Sequence, residues 1–183
     1  ASAVTRKSAM IERTFSSPYV DIAHLLVPVL WFGLLVGVCF VAVPVKFAAP
    51  SLSLPVALDV GRVTFALFND IEWVMLALTV VVVVFSGPHA LPAIATAFLA
   101  LILCVQTVWL LPVLDARVTM IMAGGAPPPS SYHLYYIAAD VLKAGVLLVM
   151  VWSQASQLSR ALAPAYHGRR HGIAPSVLPG QHS

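Results

Sequence analysis

The sequence predicts an all-α integral membrane protein, a four-helix transmembrane bundle made of two hairpins with both termini on the cytoplasmic side. Three observations carry this. Of 183 residues, 60% are hydrophobic and only 9% charged, with a mean hydropathy of +0.93, outside the balance of a water-soluble domain. Four apolar runs, at about 21–46, 60–86, 91–114 and 133–154, each reach the roughly 20 residues that crossing a bilayer requires. Proline- and glycine-bearing stretches separate them. Hydrocarbon offers backbone groups no water, so a span must be a helix or part of a closed barrel. Unbroken runs such as VMLALTVVVVVF lack the alternation of a barrel strand.

Along the chain, residues 1–19 (ASAVTRKSAMIERTFSSP and Tyr19) form a polar cytoplasmic segment. It lacks the short apolar core and small-residue cleavage site of a secretory signal, and its Arg and Ser content also fits a remnant of an organellar transit peptide. The transmembrane domain covers 20–156. Its first connection carries Pro44, Pro50 and Pro55 around SLSLP, its second, SGPHALP, is a tight turn, and its third, AGGAPPPSS, is a proline-rich loop. Trp109 marks a membrane interface. Beyond it, Asp115 to Met122 is either a simple connection or a short interfacial helix lidding the outer end of the bundle. Residues 157–183 are a polar, disordered tail, whose His167, His171 and His182 match no zinc spacing.

Arg6, Lys7, Arg13, Arg160, Arg169 and Arg170 lie on the side of the termini, and Lys46, Arg62 and Arg117 on the other. The positive-inside rule then puts the termini in the cytoplasm. A bacterial plasma (inner) membrane is expected, with the mitochondrial inner membrane as the alternative. The net charge of +3 sits in twos and threes beside the spans, which suits anionic lipid headgroups. Expected partners are therefore membrane lipids and other membrane subunits or a second copy of the chain. Nucleic acid is not expected, since basic and aromatic residues do not interleave.

Helical periodicity puts His133, Tyr136, Asp140 and Lys143 of the fourth span on one arc, and Arg62, Asn69, Glu72 and Thr79 of the second on another, with Asp70 offset by about 80°. Charges inside a bilayer face partners or water, so the two stripes should face each other, with Lys143 pairing to Asp140, Glu72 or Asp70. The polar stripe is then Asn69, Asp70, Glu72, Tyr136, Asp140 and Lys143, and its outer mouth Arg62, Asp115, Arg117 and His133. It serves either as an internal ion pair setting helix register or as a proton relay or polar-solute site. Gly33 and Gly37, a GxxxG in the first span, allow close helix packing.

Cys39 and Cys104 lack CxxC spacing and read as core residues. His24 and His133 invite a haem b reading, but the topology places them nearly a membrane thickness apart. His24 is expected to bond locally near the headgroups, beside Asp21. No metal, no cofactor and no catalytic residue is predicted, since no catalytic triad, phosphate-binding glycine loop or HExxH motif occurs. Two similar phrases, VPVKF and LPVLD, end the first arms of the two hairpins and suggest an internal repeat.

The order HLLVPVLWFGLLVGVCFVAVPVKF, GRVTFALF, WLLPVLDAR and HLYYIAADVLK resembles the small four-helix membrane proteins grouped with transmembrane protein 205, a family of uncharacterised function. The likeness covers roughly Ile22 to Val151 and leaves out the acidic pair Asp70 and Glu72. It implies a four-helix membrane domain and supplies no reaction. The expected function is that of a small non-catalytic membrane protein, assembling with itself or as an accessory subunit. The alternative is a solute, ion or proton transporter component, and a membrane haem or metal protein is a minor third.

Overall fold

The computed structural model describes residues 18–171, with side chains for 19–160. Four helices in that stretch are long and apolar enough to cross a membrane: α1 (Tyr19–Lys46), α2 (Leu54–Phe85), α3 (Ala90–Met122) and α4, whose apolar part is Tyr132–Arg160. The chain is thus an all-α integral membrane protein. The polar N-terminal segment up to residue 17 and the tail from residue 172 lie outside the described residues, as do the side chains of His167 and His171. The helix of α4 itself runs on to His171, through the start of what the sequence suggests is a disordered tail.

Besides α4, two helices are longer than the sequence predicts. The second starts at Leu54 because Pro55 sits in its first turn, where its missing N–H is no loss. The third absorbs Asp115 to Met122, which becomes the end of one continuous span. That span stops where Gly124, at φ 82°, lets the chain reverse, with Gly124 N–H donating to Ile121 O and Gly125 N–H to Met120 O. Gly87, at φ 90°, makes the tight turn between α2 and α3.

Two π-helical stretches interrupt the α-helices at matching places, Val36–Ala42 in α1 and Gln106–Leu110 in α3. Each precedes a proline, Pro44 or Pro112. A proline ring lacks an N–H and crowds the carbonyl four residues back, so the turn before it widens: Val43 N–H reaches Val38 O and Leu111 N–H reaches Gln106 O, both five residues away. The two similar phrases noted in the sequence thus carry the same backbone irregularity.

The helices form a square. α1 packs against α2 and α4, and α3 against the same two, so α2 and α4 are diagonal partners. The apolar core includes Leu35, Phe68, Met75, Leu99, Leu147 and Met150. Only 22–33% of each span's most apolar window is buried, so most of the helical surface faces outward, as lipid-exposed Leu, Val and Ile require.

Candidate functional site

The centre of the square holds a polar knot to which all four helices contribute. Glu72 and Lys143, both fully buried, meet across the diagonal: Lys143 Nζ donates to both carboxylate oxygens of Glu72 at 2.6 Å. The same ammonium lies 3.1 Å from Asp140 Oδ1, one helical turn back on α4. α1 adds Trp31, whose Nε1–H donates to Glu72 Oε1 at 3.1 Å, and α3 adds Gln106, whose Nε2 donates to Asp140 Oδ1 at 2.9 Å. Gln106 lies in the second π stretch, where the widened turn shifts the helical register. Cys39, in the first, lies beside Asp140.

In hydrocarbon, removing one partner of such a set strands a charge, at a cost of about 3–5 kcal/mol, whereas in the assembled set one ammonium serves both carboxylates. Two buried polar atoms lack a partner among the described residues, Gln106 Oε1 and Tyr136 OH. Tyr136 is held edge-on to Phe65, with ring centroids 5.1 Å apart.

Asn69 and Thr107 sit one turn above the knot, towards the face formed by residues 47–53 and 123–131. Thr107 Oγ1 donates to Asn69 Oδ1 at 2.7 Å, and Trp73 Nε1–H reaches Thr107 Oγ1 at 3.1 Å. Above them a cavity of about 710 Å³ opens to that face, with Lys46, Arg62, Asp70, Asp115, Arg117 and His133 among its lining. Arg62 binds Asp59 at 2.7 Å and Asp115 at 3.5 Å, and Arg117 Nη2 donates to Pro128 O at 2.7 Å, tying the proline loop to the rim. The end of α3, read from sequence as a connection or a lid, is a wall of this cavity.

Below the knot, Met75, Leu76, Leu99, Leu147 and Met150 fill the bundle, and a second polar clasp follows. His24 is buried, with Ser86 Oγ 3.0 Å from Nδ1 and Gln154 Nε2 3.2 Å from Nε2. Because an amide nitrogen only donates, Gln154 assigns Nε2 as acceptor. Nδ1–H then donates to Ser86 Oγ, which passes its own proton to Val82 O at 2.8 Å. His24 therefore bonds across three helices, rather than only locally as its closeness to Asp21 in sequence suggests. His133 lines the cavity at the opposite end of the bundle.

Of the six residues read as one polar stripe, Glu72, Asp140 and Lys143 meet, Tyr136 is buried nearby, and Asn69 is a turn above. Asp70 does not join them. It is exposed at the cavity edge with no hydrogen bond or ion pair among the described residues, because it lies about 160° round α2 from Glu72 and so points away from the bundle axis. All four mouth residues, Arg62, Asp115, Arg117 and His133, do line one cavity. Gly33 and Gly37 face outward, with nothing within 4 Å of the position a Cβ would take, so they pack against no helix of this chain. The sequence reading missed Trp31 and Gln106. A tryptophan mid-span, away from the interfacial belt where that residue concentrates, and a lone amide in the apolar third span were the available signals. No known family, curated protein or solved structure matches this chain.

Proposed function

We propose that the chain is a small non-catalytic subunit of a membrane, assembling with itself or docking as an accessory component of a larger complex. The observation that carries this is the burial and internal pairing of the polar knot. Glu72 and Lys143 are 0% exposed, and their hydrogen-bonding capacity is committed to each other, Trp31 and Asp140. Such a set behaves as a register lock, fixing how four otherwise uniform apolar helices align. With so much helix surface facing outward, further helix packing has ample room, and the outward-facing Gly33 and Gly37 suit close approach of another helix.

Two measurements on the full chain test this reading. Single-molecule photobleaching in native membranes should give more than one copy per spot, or cross-linking should give a stable heteromer; a chain that is solitary by both contradicts it. The triple variant Glu72→Gln, Asp140→Asn, Lys143→Met should keep the same assembly, since it neutralises the knot without stranding a charge. A bacterial plasma membrane with cytoplasmic termini remains the reading that the basic flanks support, with the mitochondrial inner membrane as the alternative.

One observation favours transport as a second reading: the cavity descends to Asn69, a single turn above Glu72. Reconstituted vesicles would then show pH-dependent flux that Asp140→Asn abolishes. Such flux in the parent protein would replace the subunit reading with this one.

A further inference from the structure

Lys46 is a cation that the fold leaves uncommitted. A lysine at a helix end ordinarily extends its ammonium to water. Here the side chain turns inward between α1 and α2, and its Nζ occupies the space where a side chain on Gly61 would begin, with Lys46 Cε 3.4 Å from that point. The ammonium lies 4.9 Å from the Phe47 ring centroid and 5.9 Å from that of Phe65. Among the described residues it has no carboxylate partner, although it lines the same cavity as Asp70 and Asp115. Gly61 is buried inside a helix, where glycine costs about 1 kcal/mol relative to alanine. The notch it leaves is what admits the ammonium.

The charges around that notch are ordered by depth. At the mouth, three cations, Lys46, Arg62 and Arg117, face two carboxylates, Asp59 and Asp115, both of which Arg62 engages. Asp70 sits about 12 Å deeper than Arg62 along α2, at 1.5 Å of rise per residue. The walls between are apolar, from Phe65, Leu111, Leu114 and Val118. A volume of about 710 Å³ falls in the range of small-molecule sites. A positive mouth, a greasy wall and a carboxylate at the cavity's deeper edge that repels an anionic head together select a molecule with one orientation.

We propose that this cavity binds an anionic lipid of the surrounding bilayer, with its phosphate at Lys46 and an acyl chain laid along the apolar wall. The phosphate supplies the counter-ion that Lys46 lacks, in a site where neighbouring rings and the protein wall weaken competition from water. Asp70 keeps the head at the mouth by repulsion. A zwitterionic head of the same chain length brings a second positive charge to a mouth already in cationic excess and binds less well.

The test is lipid retention by the full-length chain, read by native mass spectrometry after release from nanodiscs containing phosphatidylglycerol and phosphatidylcholine with identical acyl chains. Phosphatidylglycerol should stay bound preferentially. Lys46→Met should cut that preference by roughly tenfold, the worth of one charge-assisted contact, while Lys46→Arg keeps most of it. Gly61→Leu, which fills the notch, should lower retention as well. Equal retention of the two lipids, or an unchanged preference in Lys46→Met, overturns the proposal. So does displacement of the lipid by millimolar sodium phosphate alone, which would reduce the site to one for free anions. Lys46→Met should melt at the parent temperature; a large drop would show that Lys46 is already committed within the fold and would equally count against the proposal.

Discussion

Lys143 and Lys46 are both lysines of membrane-spanning helices, in opposite circumstances. Lys143 is fully buried at the bundle centre, with two carboxylates within 3.1 Å. Lys46 is half-buried at the cavity mouth, resting on two aromatic rings with no carboxylate beside it. A charge in hydrocarbon is tolerated when its partner comes from the same chain, and such a charge is spent on architecture. A charge left at the interface with only π faces around it stays available to something outside the chain. The difference separates the part of the molecule that sets the fold from the part able to meet a ligand.

Substitutions sharpen that contrast. The largest effect should follow Lys143→Met, which leaves Glu72 and Asp140 buried without their common cation. A loss of about 3–5 kcal/mol is expected, read as a fall in melting temperature in detergent. Adding Glu72→Gln and Asp140→Asn should restore most of it, because the apolar surroundings then hold no unpaired charge. If the triple variant is no more stable than the single one, the three groups do not act as a unit.

Gln106→Leu comes next, stripping Asp140 of its amide donor, at about 1.5–3 kcal/mol for a hydrogen bond to a charged group. The same melting assay checks it. His24→Ala should be smaller, about 1–2 kcal/mol, since its contacts with Ser86 and Gln154 are between neutral groups. Faster hydrogen exchange near Ser86 and Gln154, confined to that end of the bundle, would accompany it. At the bottom of the scale, Gly33→Leu should leave the melting temperature of the isolated chain unchanged, because no neighbouring helix lies within 4 Å of the added Cβ. Any effect should show only in association, as a change in cross-linking yield in the membrane.

Much of this was legible in the sequence because a bilayer leaves the backbone few choices. Four apolar runs had to be helices, and the 3.6-residue period put Asp140, Lys143 and Glu72 on inward faces. Periodicity assigns a residue to a face but does not say which helix that face meets. The diagonal relation of α2 and α4, and the convergence of Trp31 and Gln106 on their ion pair, therefore depend on the packing of all four helices. Asp70 was misgrouped for a different reason: its offset of about 80° is counted from Arg62, whereas from Glu72 it lies about 160° round the helix, so the helical wheel already sets it opposite the buried carboxylate. Pro44 and Pro112 carried a readable signal for the widened turns before them. The seat of Lys46 on Gly61 did not, since it exists only once α1 and α2 lie side by side.

The central contrast is most directly tested by amine modification of the folded chain in nanodiscs. The sequence contains three lysines, Lys7, Lys46 and Lys143, so peptide mapping after treatment with a small water-soluble acylating reagent reports on each. Lys46 should be modified readily, and should become protected when anionic lipid is abundant. Lys143 should stay unmodified until the protein is unfolded. Modification of Lys143 in the folded chain would mean that water reaches the knot, contradicting the account of a dry, internally paired lock.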